Sequence, residues 1–226
     1  MNAVSEVRPA VPACPDHHPA EDTLSRHVSG RLPVGHALVV AAHLRFCASC
    51  RAAVRLNETA GGVLLADIAP ANLTPDALER TLARLDAPAA EIEIVPPAQF
   101  RGIALPAALH ALTEPRWRWL APGIARMTVK MPGAAAREHA WLLRVAPGYA
   151  LPSHGHSGWE ATCVLAGGFT DLTGQYGPGD VAEMDESADH SPVADPGEPC
   201  ICLIAWDGPL VVRGFMPRLF QLMTGI

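Results

Sequence analysis

Short apolar segments separated by turn signals fill the chain beyond about residue 105, and this pattern constrains the fold more than any other feature. These segments are rich in β-branched and aromatic residues, and each is too short for a typical helix. They lie at 126–130, 140–145, 161–165, 200–206 and 210–213, with turns at Pro147-Gly148, Gly167-Gly168 and Gly177-Pro178-Gly179. Closely spaced short strands predict a β-sandwich or barrel for this part rather than alternating strand–helix units.

The first part of the chain has helical periodicity instead, over about residues 18–86. The run 38–54 contains neither Gly nor Pro and is rich in Ala and Leu, so we expect one helix there. A later helix is expected to begin near Thr74, which suits the N-cap, with Pro75 at the first helical position.

A change of composition separates the two parts, because prolines at positions 88, 96 and 97 interrupt both patterns. The Pro-rich start of the chain has no periodicity, which is typical of disorder. The sequence therefore predicts an α + β two-domain chain. We expect a disordered N-terminus over 1–17, a helical domain over 18–90, a linker over 91–105 and a β-domain over 106–226 that begins with a short helix at 106–112.

Charge and apolar patterning argue against two classes of partner. The net charge is −6, and it is spread evenly: residues 1–100 carry 8 basic and 11 acidic groups, and residues 101–226 carry 9 and 12. This leaves no basic face for nucleic acid. No stretch reaches the roughly 18 uncharged apolar residues of a membrane span, and residues 1–17 lack the apolar run of a signal peptide. We therefore expect a cytoplasmic protein, and in that compartment clustered thiols favour metal over disulfide.

A first candidate metal site is the pattern His43-x3-Cys47-x2-Cys50, in a chain with ten histidines and six cysteines. On a single helix these three side chains fall within roughly 60° of one another. One imidazole and two thiolates suit Zn²⁺, which takes four nitrogen or sulfur ligands in a structural site. The fourth ligand is then His18, with His17 as its rival. The alternative is that the three residues are small members of a core.

A second candidate site is the pattern His154-x-His156-x3-Glu160, followed by His190. The two histidines of the first pair project from the same face of a strand. Small residues at 155, 157 and 158 permit a sharp turn, after which Glu160 returns to the same interior. Three imidazoles and a carboxylate predict a site for a first-row divalent metal without specifying which one. The alternative is a solvated turn with Glu160 as a surface charge.

The second pattern, with Gly148 before it and Gly167 after it, resembles the first metal-binding motif of the cupins. The second cupin motif is only partly present: Gly179 and His190 match it, but the usual Pro-x-Gly ahead of the histidine is missing. The first pattern is similar to the zinc-binding anti-sigma domain, whose fingerprint is an upstream His followed by His-x3-Cys-x2-Cys. In this order the two resemble the ChrR-type anti-sigma factors, in which such a domain is fused to a cupin-like domain.

The resemblance implies an N-terminal zinc-binding helical anti-sigma domain and a C-terminal cupin β-barrel or sandwich. It also implies two metal ions, both zinc unless the second site holds another divalent metal. The ligands it implies are His18, His43, Cys47 and Cys50 for the first, and His154, His156, Glu160 and His190 for the second.

The function implied by the resemblance is transcription regulation without catalysis. By this resemblance, the anti-sigma domain would hold an extracytoplasmic-function sigma factor. The cupin-like domain would sense oxidative stress, in the form of singlet oxygen or peroxides, and trigger release of the sigma factor. The alternatives are a metal-dependent cupin enzyme, such as a dioxygenase or isomerase with a helical dimerisation module, and a metal-storage or zinc-responsive protein.

Leu78, Leu82 and Leu85 recur at i, i+4 and i+7 and form one apolar stripe of the later helix. This stripe is a candidate partner-binding surface for the sigma factor, by helix-in-groove packing. The alternative is that it only closes the core of its own module.

Several other residues have plainer interpretations. Cys163, Cys200 and Cys202 are expected to be core residues of the barrel, with a redox role as the alternative. Cys14 is expected to be an incidental exposed thiol, and residues 180–189 a solvated acidic loop.

Overall fold

The computed structural model describes residues 14–85, 99–100, 103–104, 116–187, 189–208 and 210–212, with only the backbone described at 99–100, 103–104, 156 and 210–212. Two short strands fall within the linker predicted at 91–105. The short helix predicted at 106–112 lies outside the described residues.

Helices come first along the chain and strands follow, as the sequence predicts. The helices are α1 (Glu21–Val28), α2 (Val34–His43), α3 (Ala48–Ala66) and α4 (Ala77–Leu85). The strands are β1 (Gln99–Phe100), β2 (Ile103–Ala104), β3 (Arg118–Ala121), β4 (Ile124–Thr128), β5 (His139–Val145), β6 (His154–His156), β7 (Glu160–Ala166), β8 (Phe169–Thr170), β9 (Gln175–Tyr176), β10 (Val181–Met184), β11 (Asp189–His190), β12 (Val193–Ala194), β13 (Cys200–Trp206) and β14 (Leu210–Val212). Among the described residues, none of the four helices combines the length and apolar character that crossing a bilayer requires.

The prediction of one continuous helix over 38–54 is wrong. Helix α2 ends at His43, a turn follows, and Cys47 has extended backbone angles and caps α3. Its sulfur accepts the N–H of Cys50 at 3.3 Å, and the guanidinium of Arg51 donates to the carbonyl of Leu44 at 2.6 Å. These bonds satisfy backbone groups that a helix end leaves unpaired, so the chain breaks here without Gly or Pro. The later helix begins at Ala77, two residues after the predicted position.

The strands form an antiparallel sandwich. The large sheet has the order β10-β7-β13-β5-β4-β3, and two three-stranded sheets, β11-β6-β14 and β12-β8-β9, complete the β part together with the β1-β2 pair. Leu143 and Val164 of the large sheet pack with Phe169 and Tyr176 of the β8–β9 hairpin in one buried cluster. The predicted sandwich or barrel is therefore present.

The large sheet is buried on both faces. In β13, Cys200 and Cys202 face the interior of the sandwich, whereas Ile201, Leu203 and Ala205 belong to a second cluster on the opposite face. This explains why residues 200–206 form a continuous apolar run instead of an alternating one.

Helix α2 covers the outer face of the large sheet. Val39 and Ala42 share a buried cluster with Leu203 of β13. The approach is close at Gly35, where a Cβ atom would lie 2.9 Å from the Cβ of Ala205. The helical part therefore shares a core with the β part, in addition to a small core of its own around Leu24 and Val40.

Candidate metal centres

Four side chains with metal-ligating atoms converge beside the N-terminus of α3: His18, His43, Cys47 and Cys50. Their ligand atoms all lie within 4.8 Å of one another. The Nδ1 atom of His18 is 3.4 Å from the sulfur of Cys47 and 3.4 Å from that of Cys50. Tetrahedral zinc with nitrogen and sulfur ligands requires ligand separations of about 3.4–3.8 Å. Both distances from His18 have this spacing, and the group of four is called the first centre below.

The first centre is assembled differently from the single helical face that the sequence suggests. His43 is the last residue of α2, Cys47 precedes the first turn of α3, and Cys50 lies within that turn. The helix break between residues 43 and 48 brings these ligands together.

The orientation of His43 shows that the group fits a metal. Its Nδ1 lies 2.6 Å from the carbonyl oxygen of Gly179, and because a carbonyl only accepts, Nδ1 carries the hydrogen. The Nε2 atom is then an acceptor, and it is buried with no hydrogen-bond partner among the described residues. An unsatisfied buried acceptor costs about 1–3 kcal/mol, and a metal ion at the first centre would satisfy it.

The two thiols of the first centre differ in acidity. Burial alone would raise the pKa of Cys47, but hydrogen bonds from Ser49, from the N–H of Cys50 and from Cys14 lower it to about 6. Burial and the neighbouring Cys47 raise the pKa of Cys50. Without a cation the pair therefore holds one thiolate and one thiol. A divalent cation would stabilise both thiolates, the form in which cysteine binds zinc.

Cys14 is exposed, as the sequence predicts, but it is not incidental, because its sulfur lies beside the first centre. Its sulfur lies 3.5 Å from that of Cys47 and 3.7 Å from the hydroxyl of Ser49. It lies outside the group of four mutually close ligand atoms, so it contacts a candidate ligand from the side.

His17 and His18 point in different directions. The ring of His17 packs against Tyr176 with centroids 4.3 Å apart, and its Nδ1 lies 3.7 Å from a carboxylate oxygen of Asp180. Only His18 joins the group around the two cysteines. The structure therefore favours His18 over its rival, although both were candidates from the sequence.

A second group, called the second centre below, lies inside the sandwich and contains His154, Glu160 and His190. Strands β6 and β11 pair so that His190 lies opposite His154, and Glu160 begins β7. Glu160 and His190 are buried. The backbone of His156 lies in β6, but its side chain is outside the described residues, so its predicted role as a ligand stays a prediction.

The two imidazoles of the second centre face each other through atoms that carry lone pairs. Nδ1 of His154 lies 2.9 Å from the carbonyl of Pro152, and Nδ1 of His190 lies 3.2 Å from a carboxylate oxygen of Asp171. Both partners accept, so both Nδ1 atoms carry the hydrogen. In neutral rings the two Nε2 atoms, which are 3.0 Å apart, are then both acceptors. A shared cation makes this approach favourable, so the residues fit a metal.

Burial dominates the electrostatics of the second centre. It raises the pKa of Glu160 to about 7, against a smaller opposite effect of the Thr162 hydroxyl, and it lowers the pKa of His154. Burial alone would raise the pKa of Asp171, but hydrogen bonds from Thr173 and the contact with His190 lower it. The site therefore disfavours uncompensated charge on His154 and Glu160.

Sequence reasoning missed the supporting residues Asp171 and Asp180. The Asp-x-Thr spacing at 171–173 signals a turn closed by the carboxylate, but it does not show that the second oxygen reaches His190. The prediction of a solvated acidic loop at 180–189 is wrong for its first part. Asp180 is buried and accepts the N–H groups of Asp16 and His17, and residues 181–184 form β10.

The remaining cysteines of the β part are buried. Cys200 and Cys202 have their sulfur atoms 3.4 Å apart on the inner face of β13, and Cys163 lies on the opposite face of the sheet. Hydrogen bonding to Cys200, together with burial, raises the pKa of Cys202, which makes this thiol a poor nucleophile. These positions are consistent with core roles.

Comparison with known proteins identifies the family. A model described as the ChrR cupin-like domain matches residues 107–209. The anti-sigma-E factor ChrR of Cereibacter sphaeroides is 36% identical to this chain over 210 residues, covering 91% of this chain and 96% of that protein. The chain belongs to the ChrR family.

One solved structure agrees with membership of the ChrR family, and a second shows only a weaker likeness. The crystal structure of Rhodobacter sphaeroides SigE in complex with the anti-sigma ChrR aligns with a TM-score of 0.70 and 35% identity, over 84% of this chain and 98% of that chain. An RmlC-like cupin protein from Ralstonia eutropha JMP134 aligns with a TM-score of 0.39 and 19% identity, over 50% of this chain and 83% of that one. The family match confirms the cupin-like β part, and the curated relative is an anti-sigma factor, not an enzyme.

Proposed function

We propose that this chain is a cytoplasmic anti-sigma factor that sequesters an extracytoplasmic-function sigma factor and releases it under oxidative stress. Membership of the ChrR family supports the first part, since the relative is an anti-sigma-E factor and the aligned structure is its complex with SigE. We further propose that the helices bind the sigma factor and that the β part, through the second centre, detects singlet oxygen or peroxides.

The observation that carries the proposal is an apolar surface on α3 and α4 that the described residues leave uncovered. No residue between positions 51 and 85 is buried. The exposed large apolar side chains of this segment, called the α3–α4 surface, are Leu56, Val63, Leu64, Leu65, Ile68, Leu73, Leu78, Leu82 and Leu85. A single segment that exposes this many large apolar side chains is typical of a protein–protein interface.

The predicted stripe of α4 belongs to this surface. Leu78, Leu82 and Leu85 are 67%, 50% and 76% exposed. This exposure argues against the alternative that the stripe closes the core of its own module. An amphipathic helix with one uncovered apolar face suits insertion into a groove of a partner.

The two centres support different roles in this proposal. The four ligands of the first centre, His18, His43, Cys47 and Cys50, would fill a tetrahedral zinc site, which is typical of structural zinc. Zinc there would join α2 and α3 to the segment before α1 and stabilise the helical part. The second centre would hold zinc or another divalent metal through His154, His156, Glu160 and His190, whose imidazoles are oxidisable.

Co-expression tests sigma-factor capture. The full-length chain is tagged and co-expressed in turn with each extracytoplasmic-function sigma factor of the same genome, and any complex is isolated through the tag. We expect a stable complex with the unmodified chain. Leu82→Asp should weaken binding more than about tenfold, because burying a leucine contributes about 1.5–3 kcal/mol and a buried carboxylate adds a cost.

A matched control separates the α3–α4 surface from general apolar exposure. Leu172 lies at the tip of the β8–β9 hairpin and is 93% exposed. Leu172→Asp should leave binding unchanged. Absence of a complex with the unmodified chain would contradict sigma-factor capture, whereas equal binding by both variants would contradict the assignment of the surface.

A further inference from the structure

One hairpin of the β part contacts the second centre and the segment that leads into the first centre. Strands β8 and β9 are joined by residues 171–174, and the side chain of Asp171 in this turn is completely buried against His190 of the second centre. At the other end of the hairpin, the ring of Tyr176 packs against His17, which precedes His18 of the first centre.

A chain of hydrogen bonds connects the two ends of the hairpin. The backbone N–H and the hydroxyl of Thr173 both donate to one carboxylate oxygen of Asp171, while the other oxygen contacts His190. Since the Thr173 hydroxyl has only one hydrogen, the hydroxyl of Tyr176, 2.8 Å away, donates to it. The position of the His190 ring and that of the Tyr176 ring are therefore linked through two side chains.

The contact between the hairpin and the N-terminal segment is tight. Tyr176 is buried between Phe169, with centroids 4.7 Å apart, and His17. A Cβ atom on Gly174 would lie 3.2 Å from Nε2 of His17, so the imidazole lies directly on the hairpin backbone. A displacement of the hairpin must therefore displace His17.

The segment that carries His17 is held at its backbone as well. One carboxylate oxygen of Asp180 accepts the N–H of Asp16 at 2.8 Å and that of His17 at 2.9 Å, and the other oxygen accepts the N–H of Gly177 at 2.7 Å. His18 follows directly in the chain, so its place beside the two cysteines depends on these contacts.

We propose that the contacts from His190 through Asp171, Thr173 and Tyr176 to His17 couple the second centre to the first. Loss of the contact between His190 and Asp171 allows the hairpin to shift and loosens the hold of the first centre on its metal. This inference rests on the proposed function, since it describes how damage in the β part reaches the helices that hold the sigma factor. Both centres bias one packed element, which is the physical requirement for coupling between distant sites.

Cobalt(II) is the probe for the test because only the first centre has thiolate ligands. A sulfur-to-cobalt charge-transfer band therefore reports that centre alone. The full-length chain is loaded with cobalt(II), excess EDTA is added, and the decay of the band is followed. Four proteins form a cycle: the unmodified chain, His190→Ala, Tyr176→Phe and the double variant. Tyr176→Phe removes the hydroxyl but keeps the ring between Phe169 and His17.

In the unmodified background, His190→Ala should accelerate the loss of cobalt about fivefold or more, the usual lower range of coupling between sites. In the Tyr176→Phe background the same substitution should accelerate it less than about twofold. Gln175→Ala is the matched control, because that exposed side chain of the same hairpin bonds Asp195 outside the route, and it should preserve the full acceleration.

Equal acceleration in both backgrounds, or none in either, would overturn the proposal. Thr173→Val, which breaks the same route from its middle, must reproduce the result of Tyr176→Phe. Amide exchange at Asp16 and His17 gives a second readout and should quicken in His190→Ala but not in Gln175→Ala. No sigma factor enters this experiment, so its outcome is independent of whether sigma-factor capture is correct.

Discussion

The Nδ1 atom of His43 lies 2.6 Å from the carbonyl oxygen of Gly179, so a candidate ligand at the end of α2 is oriented by a turn of the β part. The N–H of Gly179 in turn donates to the carbonyl of Val164, in the centre of β7. The first centre is therefore assembled across the interface between helices and sheet. Changes in the β part can reach its ligands directly.

Gly179→Ala tests this interface. The residue has φ +96°, which disfavours a side chain, and a Cβ atom would lie 2.6 Å from the Cβ of Phe46 and 2.7 Å from Cγ of Pro15. We expect the substitution to lower the free energy of unfolding by about 2–4 kcal/mol, measured by urea denaturation. Gly197→Ala is the control: φ is +107° there and nothing lies within 4 Å, so only the backbone strain remains. Equal losses would show that the packing around Gly179 contributes nothing.

The neighbouring thiols of Cys14 and Cys47 should differ in their effect on bound metal. Cys47→Ser removes a ligand of the first centre, and we expect the purified chain to lose one equivalent of zinc, measured by elemental analysis. Cys14→Ser should retain the full zinc content, because its sulfur lies outside the group of four. Loss of zinc from both variants would instead assign a ligand role to Cys14.

Removal of metal should expose a pH dependence that belongs to Glu160. Burial raises the pKa of this carboxyl to about 7 in the folded chain, above the ordinary 4.5. The folded state then binds the proton more tightly than the unfolded state. This contribution to stability is complete below about pH 4.5 and is lost as the pH rises through about 7, with a magnitude of about 3 kcal/mol.

The measurement is unfolding of the metal-free chain between pH 4.5 and 8, followed by tryptophan fluorescence, since all five tryptophans lie beyond residue 116. Glu160→Gln cannot titrate and should remove this part of the pH dependence. Identical profiles for the two proteins would show that Glu160 does not carry the shifted pKa.

Disabling the second centre should separate sensing from capture. His154→Ala and Glu160→Ala should retain the sigma factor in unstressed cells, because both variants keep His190 and its contact with Asp171 and leave the α3–α4 surface unchanged. They should release it less under singlet oxygen or organic hydroperoxide, measured as the fraction that co-purifies before and after stress. Glu198→Ala, an exposed carboxylate of the same β part, should respond as the unmodified chain does. If the two variants lost sigma-factor binding and the stress response to the same extent, separate roles for the helices and the second centre would be contradicted.

Sequence analysis located best those candidate ligands that lie close to one another in the chain. His154, Glu160 and the two cysteines at 47 and 50 each lie within a few positions of a partner, so either a strand or a turn brings them together. His18 lies 25 positions before His43, and His190 lies 30 positions after Glu160. Spacing in the sequence alone could not select His18 over His17. That choice depends on Tyr176, which holds the ring of His17.

The supporting residues were beyond sequence reasoning for a related reason. Asp171, Gly179 and Asp180 each act on a group that is distant in the chain, and local propensity contains no information about such pairs. The helix break after His43 was missed because sulfur and guanidinium groups, rather than Gly or Pro, satisfy the free backbone groups.

The order of helices and strands, the inward faces of the strands and the chemical type of both candidate ligand sets could all be predicted from the sequence. These follow from periodicity and from residues close together in the chain, where backbone geometry limits the outcomes. Three relationships became visible only in the folded chain: α2 shares a core with the large sheet, His43 is oriented by Gly179, and one hairpin contacts both His190 and His17. Those relationships arise from packing between segments that are distant in the chain, 19 residues apart for Asp171 and His190 and more than a hundred for the others, where shape and burial select the partner.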